Sequence, residues 1–282
     1  MVKPTVLLDK SYLQSAASSA IRELAATHTL LMPCVLFYEM VSADEPKRSS
    51  LLNKFLALDV AVVPLKSLNV LLQIEMRSHR CCGRPSDHVE AVHQHTLLAA
   101  LAPESNQEAW AAEMLAEQAE YLKSEVLRYR GIVDAVRRLF PQLTRGSDDA
   151  RRNSHEIAEE IVATPAQMKT FYDSMASAPG QGGLQAPPAE IVDENWVSFR
   201  LMQVKLLFAM ELTHRLGAHD MPPELGRKAF TELEHDVLDQ QYLIQGVLEG
   251  SLATEEKKLQ RWFRLLRPDG QLHCRPPVGL PA

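Results

Sequence analysis

Two aspartates three residues apart, Asp236 and Asp239 in HDVLDQQYL, stand within an apolar helical pattern set by Leu233, Val237, Leu238 and Tyr242. Positions i and i+3 are neighbours on a helix, so both carboxylates face one side, within reach of a common cation or base. They read either as a solvated charged face or as part of a metal site, and a metal site needs acids from elsewhere in the chain. The chain offers three. Asp9 closes the apolar run TVLLD, Glu39 follows Phe37 and Tyr38, and Glu256 stands in ATEEKK just past the short run SLAT. Gathered carboxylates repel one another and persist when cations or protons neutralise them. Oxygen ligands suit Mg²⁺ or Mn²⁺, which keep waters and bind phosphates. Such ions generate a hydroxide and stabilise in-line displacement at phosphorus, so phosphodiester hydrolysis is the chemistry these residues point to. These residues also have structural readings: Asp9, and Thr254 beside Glu256, as helix N-caps, Glu39 as an exposed helix residue, Glu256 as a complement to a helix dipole.

The elements that would position these acids alternate at both ends of the chain. TVLLD reads as a strand and KSYLQSAASSAIRELAATH as helix. TLLMPCVLFYEMVSAD repeats the plan around Pro33, and DVAVVPL at 59–65 is a third strand candidate. Towards the other end, PPELGRKAFTELEHDVLDQQYLIQGVLEG reads as a helix with Pro222 and Pro223 at its start and Gly250 past its end. SLAT follows as a strand, and EEKKLQRWFRLLRPDG as the last helix. Strands alternating with helices imply a parallel sheet covered on both faces, with ligands beyond the carboxyl ends of the strands. Between the two ends the pattern is helical. Leu115, Ala119, Leu122, Val126, Tyr129, Val133, Val136 and Phe140 follow a heptad stripe, and a second helix is expected with Asn153 or Ser154 as its cap. A third ends at Gly217, and SAPGQGGLQAPPAE, at about 176–190, is a loop. The expected organisation is one discontinuous α/β core, residues 1–75 and 218–282, with a helical insertion at 76–217 that makes the chain helix-rich.

Composition narrows the classes. The 282 residues, 46% of them hydrophobic, suffice for a buried core. No run approaches twenty apolar residues, and an acid at position 9 comes too early for a signal peptide, so the expectation is a cytoplasmic protein with no membrane partner. Four cysteines, two of them adjacent, do not make a disulfide framework. A formal charge of −6 disfavours a generally basic nucleic-acid binder and leaves local patches. Lys258 and Arg261 flank an apolar face of Leu259, Trp262, Phe263 and Leu266; Arg128 and Arg130, with Arg137 and Arg138, mark another basic stretch. Both are candidate RNA contacts or solvated faces. His79, Cys81, Cys82, His88, His93 and His95 gather in the 79–95 stretch, in no established zinc spacing. A nucleophile elbow, a phosphate-binding loop and a dinucleotide fingerprint are absent from the sequence.

The order of these pieces resembles PIN-domain nucleases. VLLDKSYL resembles their opening strand, with Asp9 closing it and Ser11 two positions on; FYEM resembles their second acidic motif. DVLDQQYLIQGVLEGSLATEEKKL resembles their closing module, an acid-bearing helix, a short strand and Thr254-Glu255-Glu256 where the family has Thr-x-Asp. The likeness covers roughly 65 residues at the start and 60 at the end, a spread typical of a domain with an insertion. It implies a three-layer α/β/α fold around a parallel sheet and a Mg²⁺- or Mn²⁺-dependent endoribonuclease acting on single-stranded or structured RNA, often a toxin or defence effector. It further implies metal-ligand roles for Asp9, Glu39, Asp239 and Glu256, with Asp236 sharing the role of Asp239 and with Ser11 and Thr254 orienting the ligands. Lys10 stands where the family commonly has Thr or Ser, and Glu256 replaces an Asp. The alternative is a degenerate PIN-like scaffold whose helical insertion binds a protein partner. An antitoxin or other protein on the insertion, and self-association, remain open partners under either reading.

Overall fold

The computed structural model describes residues 3–44, 46–56, 62–90, 109–176, 185–222 and 224–275. Part of the expected third strand (59–61), His93, His95 and most of the Gly-rich loop (177–184) lie outside the described residues.

Five short strands form one sheet: β1 (Thr5–Leu8), β2 (Thr29–Met32), β3 (Val62–Pro64), β4 (Ser251–Ala253) and β5 (Gln271–His273), in the order β3-β2-β1-β4-β5. Every pairing is parallel, with Leu7 opposite both Leu31 and Leu252. Parallel pairing needs crossover segments, and the chain supplies helices for this purpose. After β1 come α1 (Lys10–Ser15) and α2 (Ser18–Thr27); after β2 come α3 (Cys34–Val41) and α4 (Lys47–Leu56). Val6, Leu7 and Leu8 are all inaccessible to solvent. Since successive side chains of a strand point to opposite faces, both faces of the sheet are covered at its centre, which is why β1 reads as a continuous apolar run.

The remaining helices are α5 (Leu68–Ser78), α6 (Ala109–Leu139), α7 (Asp148–Ala163), α8 (Pro165–Ala176), α9 (Val197–Leu216), α10 (Arg227–Glu249) and α11 (Lys257–Leu266). The chain divides into two compact units, the first made of residues 1–68, 84–118 and 245–282, the second of 69–83 and 119–244. The sheet lies in the first unit. Among the described residues the second contains helices and no strand. Its core takes the later part of the heptad stripe: Leu122, Val126, Tyr129, Val133, Val136 and Phe140 are buried, whereas Ala119 is exposed.

Three boundaries differ from expectation. Helix α7 starts at Asp148, because Ser147 caps it by accepting from the Ala150 amide at 3.4 Å and two aspartates follow in the first turn; Asn153 and Ser154 lie inside the helix. Helix α10 starts at Arg227 and not at Pro222. Strand β5 was not expected at all. Its three residues, Gln-Leu-His, carry no alternation signal, and they become a strand by pairing with β4.

Candidate active site at the carboxyl edge of the sheet

Strand order reverses between β1 and β4: the chain leaves β1 to build β2 and β3 on one side and returns to build β4 and β5 on the other. In open parallel sheets this switch point opens a crevice at the carboxyl ends of the strands. Asp9 ends β1 there, and Thr254, Glu255 and Glu256 follow β4. The backbone carries the pairing one step further, the Asp9 amide donating to the Ala253 carbonyl at 3.0 Å.

Two hydroxyls stitch the two strand ends together. Ser11 and Thr254 both donate to the same carboxylate oxygen of Asp9, Oδ2, the Thr254 bond measuring 2.5 Å. A hydroxyl has one proton, so both protons are committed to Asp9, and the 3.2 Å approach of Ser11 Oγ to Thr254 Oγ1 is a contact between acceptors. Their lone pairs are also engaged. Ser11 Oγ accepts from the Glu255 amide at 2.9 Å, and Thr254 Oγ1 accepts from the Glu256 amide at 3.1 Å. The loop after β4 is thus fixed to Asp9 by two relays from amide to hydroxyl to carboxylate.

Asp9 is 4% exposed and Thr254 fully buried. Burial raises the Asp9 carboxyl above its ordinary value of 3.8; the Ser11 and Thr254 hydrogen bonds pull it back, and the charge of Glu39 pushes it up again. The site therefore holds a carboxyl short of positive charge. Glu39 has a cation close by: the Lys10 ammonium donates to its Oε1 at 2.9 Å.

The other expected residues are placed as follows. Glu256 is exposed at the N-cap position of α11, and its side chain makes no capping bond. Glu255, beside it, accepts from the Arg275 amide at 2.8 Å. Asp236 and Asp239 belong to the second unit, where Asp236 is buried and paired with Arg215 at 2.9 Å, and Asp239 is half-buried. Arg128 pairs with the buried Glu125 at 3.1 Å, Arg130 donates to the Pro222 carbonyl, and Arg137 holds Asp220 at 2.6 Å. These three arginines brace the second unit's own chain. Lys258 and Arg261 lie over the buried Trp262 ring, 6.0 and 5.5 Å from its centre. In the 79–95 stretch, Cys81 Sγ donates to the Asn195 carbonyl at 3.3 Å. Cys82 approaches Glu75 at 3.5 Å, and burial followed by that carboxylate raises its thiol well above the usual range, which opposes the thiolate a zinc site requires.

The donors at the β1/β4 edge are carboxylate and hydroxyl oxygens, the kind that fits Mg²⁺ or Mn²⁺. Asp9 and Glu39 interact electrostatically there. Among the described residues, no three His, Cys, Asp or Glu side chains are grouped so as to hold a metal ion. Nor is any helix among them long and apolar enough to cross a membrane.

Of the residues singled out from the sequence, the structure brings Ser11 and Thr254 onto Asp9; sequence reasoning did not anticipate the pairing of Lys10 with Glu39, 29 residues away. It also missed Glu249, whose buried carboxylate binds Thr5, Arg84 and, at 3.0 Å, the Ser86 amide. These bonds form at the amino end of β1, opposite the candidate site. No local pattern announces such pairs, because each partner is supplied by a distant segment. Compared with protein-family models, curated proteins and solved structures, the chain matches none.

Proposed function

We propose that the chain is a PIN-like endoribonuclease that hydrolyses RNA phosphodiester bonds with Mg²⁺ or Mn²⁺. The observation that carries this reading is the buried Asp9 at the switch point of a parallel 3-2-1-4-5 sheet, clamped by the Ser11 and Thr254 hydroxyls. A buried carboxyl is costly unless hydrogen bonds, a proton or a cation compensate it, and Asp9 lies where α/β sheets bind ligands. The covered faces of β1 agree with a three-layer arrangement.

In this reading Asp9 and Glu39 would hold the cation, joined by Glu256 as the family resemblance assigns. The bound ion would supply Lewis acidity towards the scissile phosphate and lower the pKa of a water. The protein's own part is orientation. Ser11 and Thr254 fix which Asp9 oxygen faces the protein, and the relays to the Glu255 and Glu256 amides keep the β4 loop from moving with the substrate. Glu256 carries its carboxylate about 1.5 Å further from the backbone than an aspartate would. The RNA target, a toxin or defence role, and an antitoxin or other partner on the helical unit belong to this proposal as extensions.

A second reading is favoured by one observation, the Lys10–Glu39 ion pair. It satisfies an acid the nuclease reading needs, as expected of a degenerate PIN-like scaffold that binds a protein partner.

Cleavage of end-labelled single-stranded and hairpin RNAs in Mg²⁺, Mn²⁺ or EDTA, beside an Asp9→Asn variant, separates the two. Metal-dependent cutting that the variant loses supports the nuclease. Absence of cutting together with absence of Mn²⁺ binding by calorimetry assigns the fold to the scaffold.

A further inference from the structure

We infer that the second unit carries a binding site for a neutral, largely apolar small molecule, the size of one aromatic ring with a short side chain that ends in an oxygen. This site goes beyond the nuclease reading and does not depend on it.

A cavity of about 230 Å³, partly open to solvent, is lined by residues of α5, α6, α8 and α9, all within the second unit. On α9, Ser198, Leu201, Met202 and Lys205 fall at i, i+3, i+4 and i+7, so one face of that helix forms a wall. The lining is apolar almost throughout. Its Leu72, Met76, Ile132, Leu201 and Met202 side chains are only half-buried, although each belongs to a helix of this unit's packed core. Protein interiors are close-packed, so a hollow of this size forgoes dispersion contacts that an occupant restores.

Size, charge and one hydroxyl set what fits. The volume is about half as large again as the roughly 150 Å³ of an apolar cavity that takes benzene, which leaves room for a ring with a short side chain. Among the described lining residues Lys205 alone carries a charge, and its ammonium is bound to the buried Glu125, which also holds Arg128 at 3.1 Å. A ligand carboxylate would meet Glu125, and a ligand cation would compete with Lys205. Either charge would be buried among apolar side chains without a partner of its own, which is costly. The polar group left over is Ser198. It is 7% exposed, and its hydroxyl has no hydrogen-bond partner among the described residues. The nearby Tyr172 oxygen feels this hydroxyl without coming within bonding distance, and its own proton goes to the Pro187 carbonyl at 3.1 Å. An unbonded buried hydroxyl is unfavourable, and a turn about χ1 between staggered wells presents that of Ser198 to a ligand oxygen in the cavity it lines.

The test is calorimetric titration of the full chain with four probes that share one frame: 2-phenylethanol, ethylbenzene, which lacks the oxygen, phenylacetate, an anion, and 2-phenylethylamine, a cation. Wild type is compared with Ser198→Ala and with two variants that fill the cavity, Ala186→Leu and Leu201→Phe. Thermal melts check that each is folded, and either filling variant serves if the other is not. In wild type 2-phenylethanol should bind, ethylbenzene about 2–10-fold more weakly, as the loss of one ordinary hydrogen bond dictates, and both ions about tenfold more weakly or worse. Ser198→Ala should bind 2-phenylethanol no better than ethylbenzene, and a folded filling variant should lose both. No binding by folded wild type overturns the site. Undiminished binding by a folded filling variant overturns its location, and an ion that binds as well as 2-phenylethanol overturns the ligand class. None of these outcomes bears on Asp9, which the RNA cleavage assay tests separately.

Discussion

Replacing Thr254 by valine removes one hydroxyl from the centre of the site and keeps the side chain's shape. In the folded protein that hydroxyl donates to Asp9 Oδ2 at 2.5 Å and accepts from the Glu256 amide at 3.1 Å, while the residue is fully buried. A hydrogen bond to a charged group contributes about 1.5–3 kcal/mol, and the part-buried bond from the Glu256 amide adds roughly 0.5–1 as an ordinary hydrogen bond. The extra buried methyl returns about 0.8 kcal/mol. The net loss at neutral pH is thus about 1.5–3 kcal/mol, and it depends on pH with a definite sign. A carboxyl whose folded pKa lies above the unfolded value takes up protons on folding, so Asp9 contributes less stability as pH rises from about 3.8 through its folded value. Thr254 lowers that folded value, and removing it raises the value further and widens the fall. Urea denaturation of wild type and Thr254→Val from roughly pH 4 to pH 8.5 measures this directly. The deficit should be small at the acid end and full at the alkaline end. A deficit below about 0.5 kcal/mol, or one that shrinks as pH rises, would refute the assignment of Thr254 as a donor to an ionised Asp9.

Asp9→Asn should be as stable as wild type or more stable at alkaline pH, since the amide keeps an acceptor for the hydroxyls without a buried charge, and it should lose metal-dependent RNA cleavage; a marked stability loss in urea would contradict the burial argument. Glu75, fully buried, accepts from the first two amides of α9, Val197 and Ser198, each at 2.9 Å. Glu75→Ala strands both donors and should cost about 2–5 kcal/mol by denaturant titration, a loss under about 1 kcal/mol refuting the brace. Burial pushes the Cys34 thiol up to about 12, so only about one ten-thousandth of it is thiolate near pH 8. In the native protein the buried Cys34 should react with iodoacetamide well after the exposed Cys81, as read by peptide mass spectrometry; alkylation of Cys34 as early as Cys81 would show that the α3 environment opens.

Much of the sheet could be read along the chain. TVLL and TLLM are apolar runs because strands covered on both faces cannot alternate, and acids or prolines end each run. The apolar face of α11 was legible residue by residue, since Leu259, Trp262, Phe263 and Leu266 recur at helical spacing and all four are buried. Where sequence reasoning failed, the cause was either a long-range partner or a choice among several local ones. Strand β5 is made by β4, and the start of α7 was misplaced because three polar residues, Ser147, Asn153 and Ser154, are all chemically able to cap. Arg128 and Arg130, from the sequence either RNA contacts or a solvated face, meet Glu125 and the Pro222 carbonyl, partners the basic pattern does not name.

The sequence by itself determined the local objects: the apolar strands, the helix periods, and the positions of Asp9, Ser11, Glu39 and Thr254 relative to strand ends. Such signals are local because side-chain period and turn chemistry act over a few residues. Tertiary structure alone decided that β1 and β4 are neighbours, which sets two hydroxyls from residues 243 apart on one carboxylate oxygen, and that Lys10 meets Glu39. Whether an acid is buried, paired or available to a cation depends on what the fold brings within a few ångströms of it, and residue type carries no record of that.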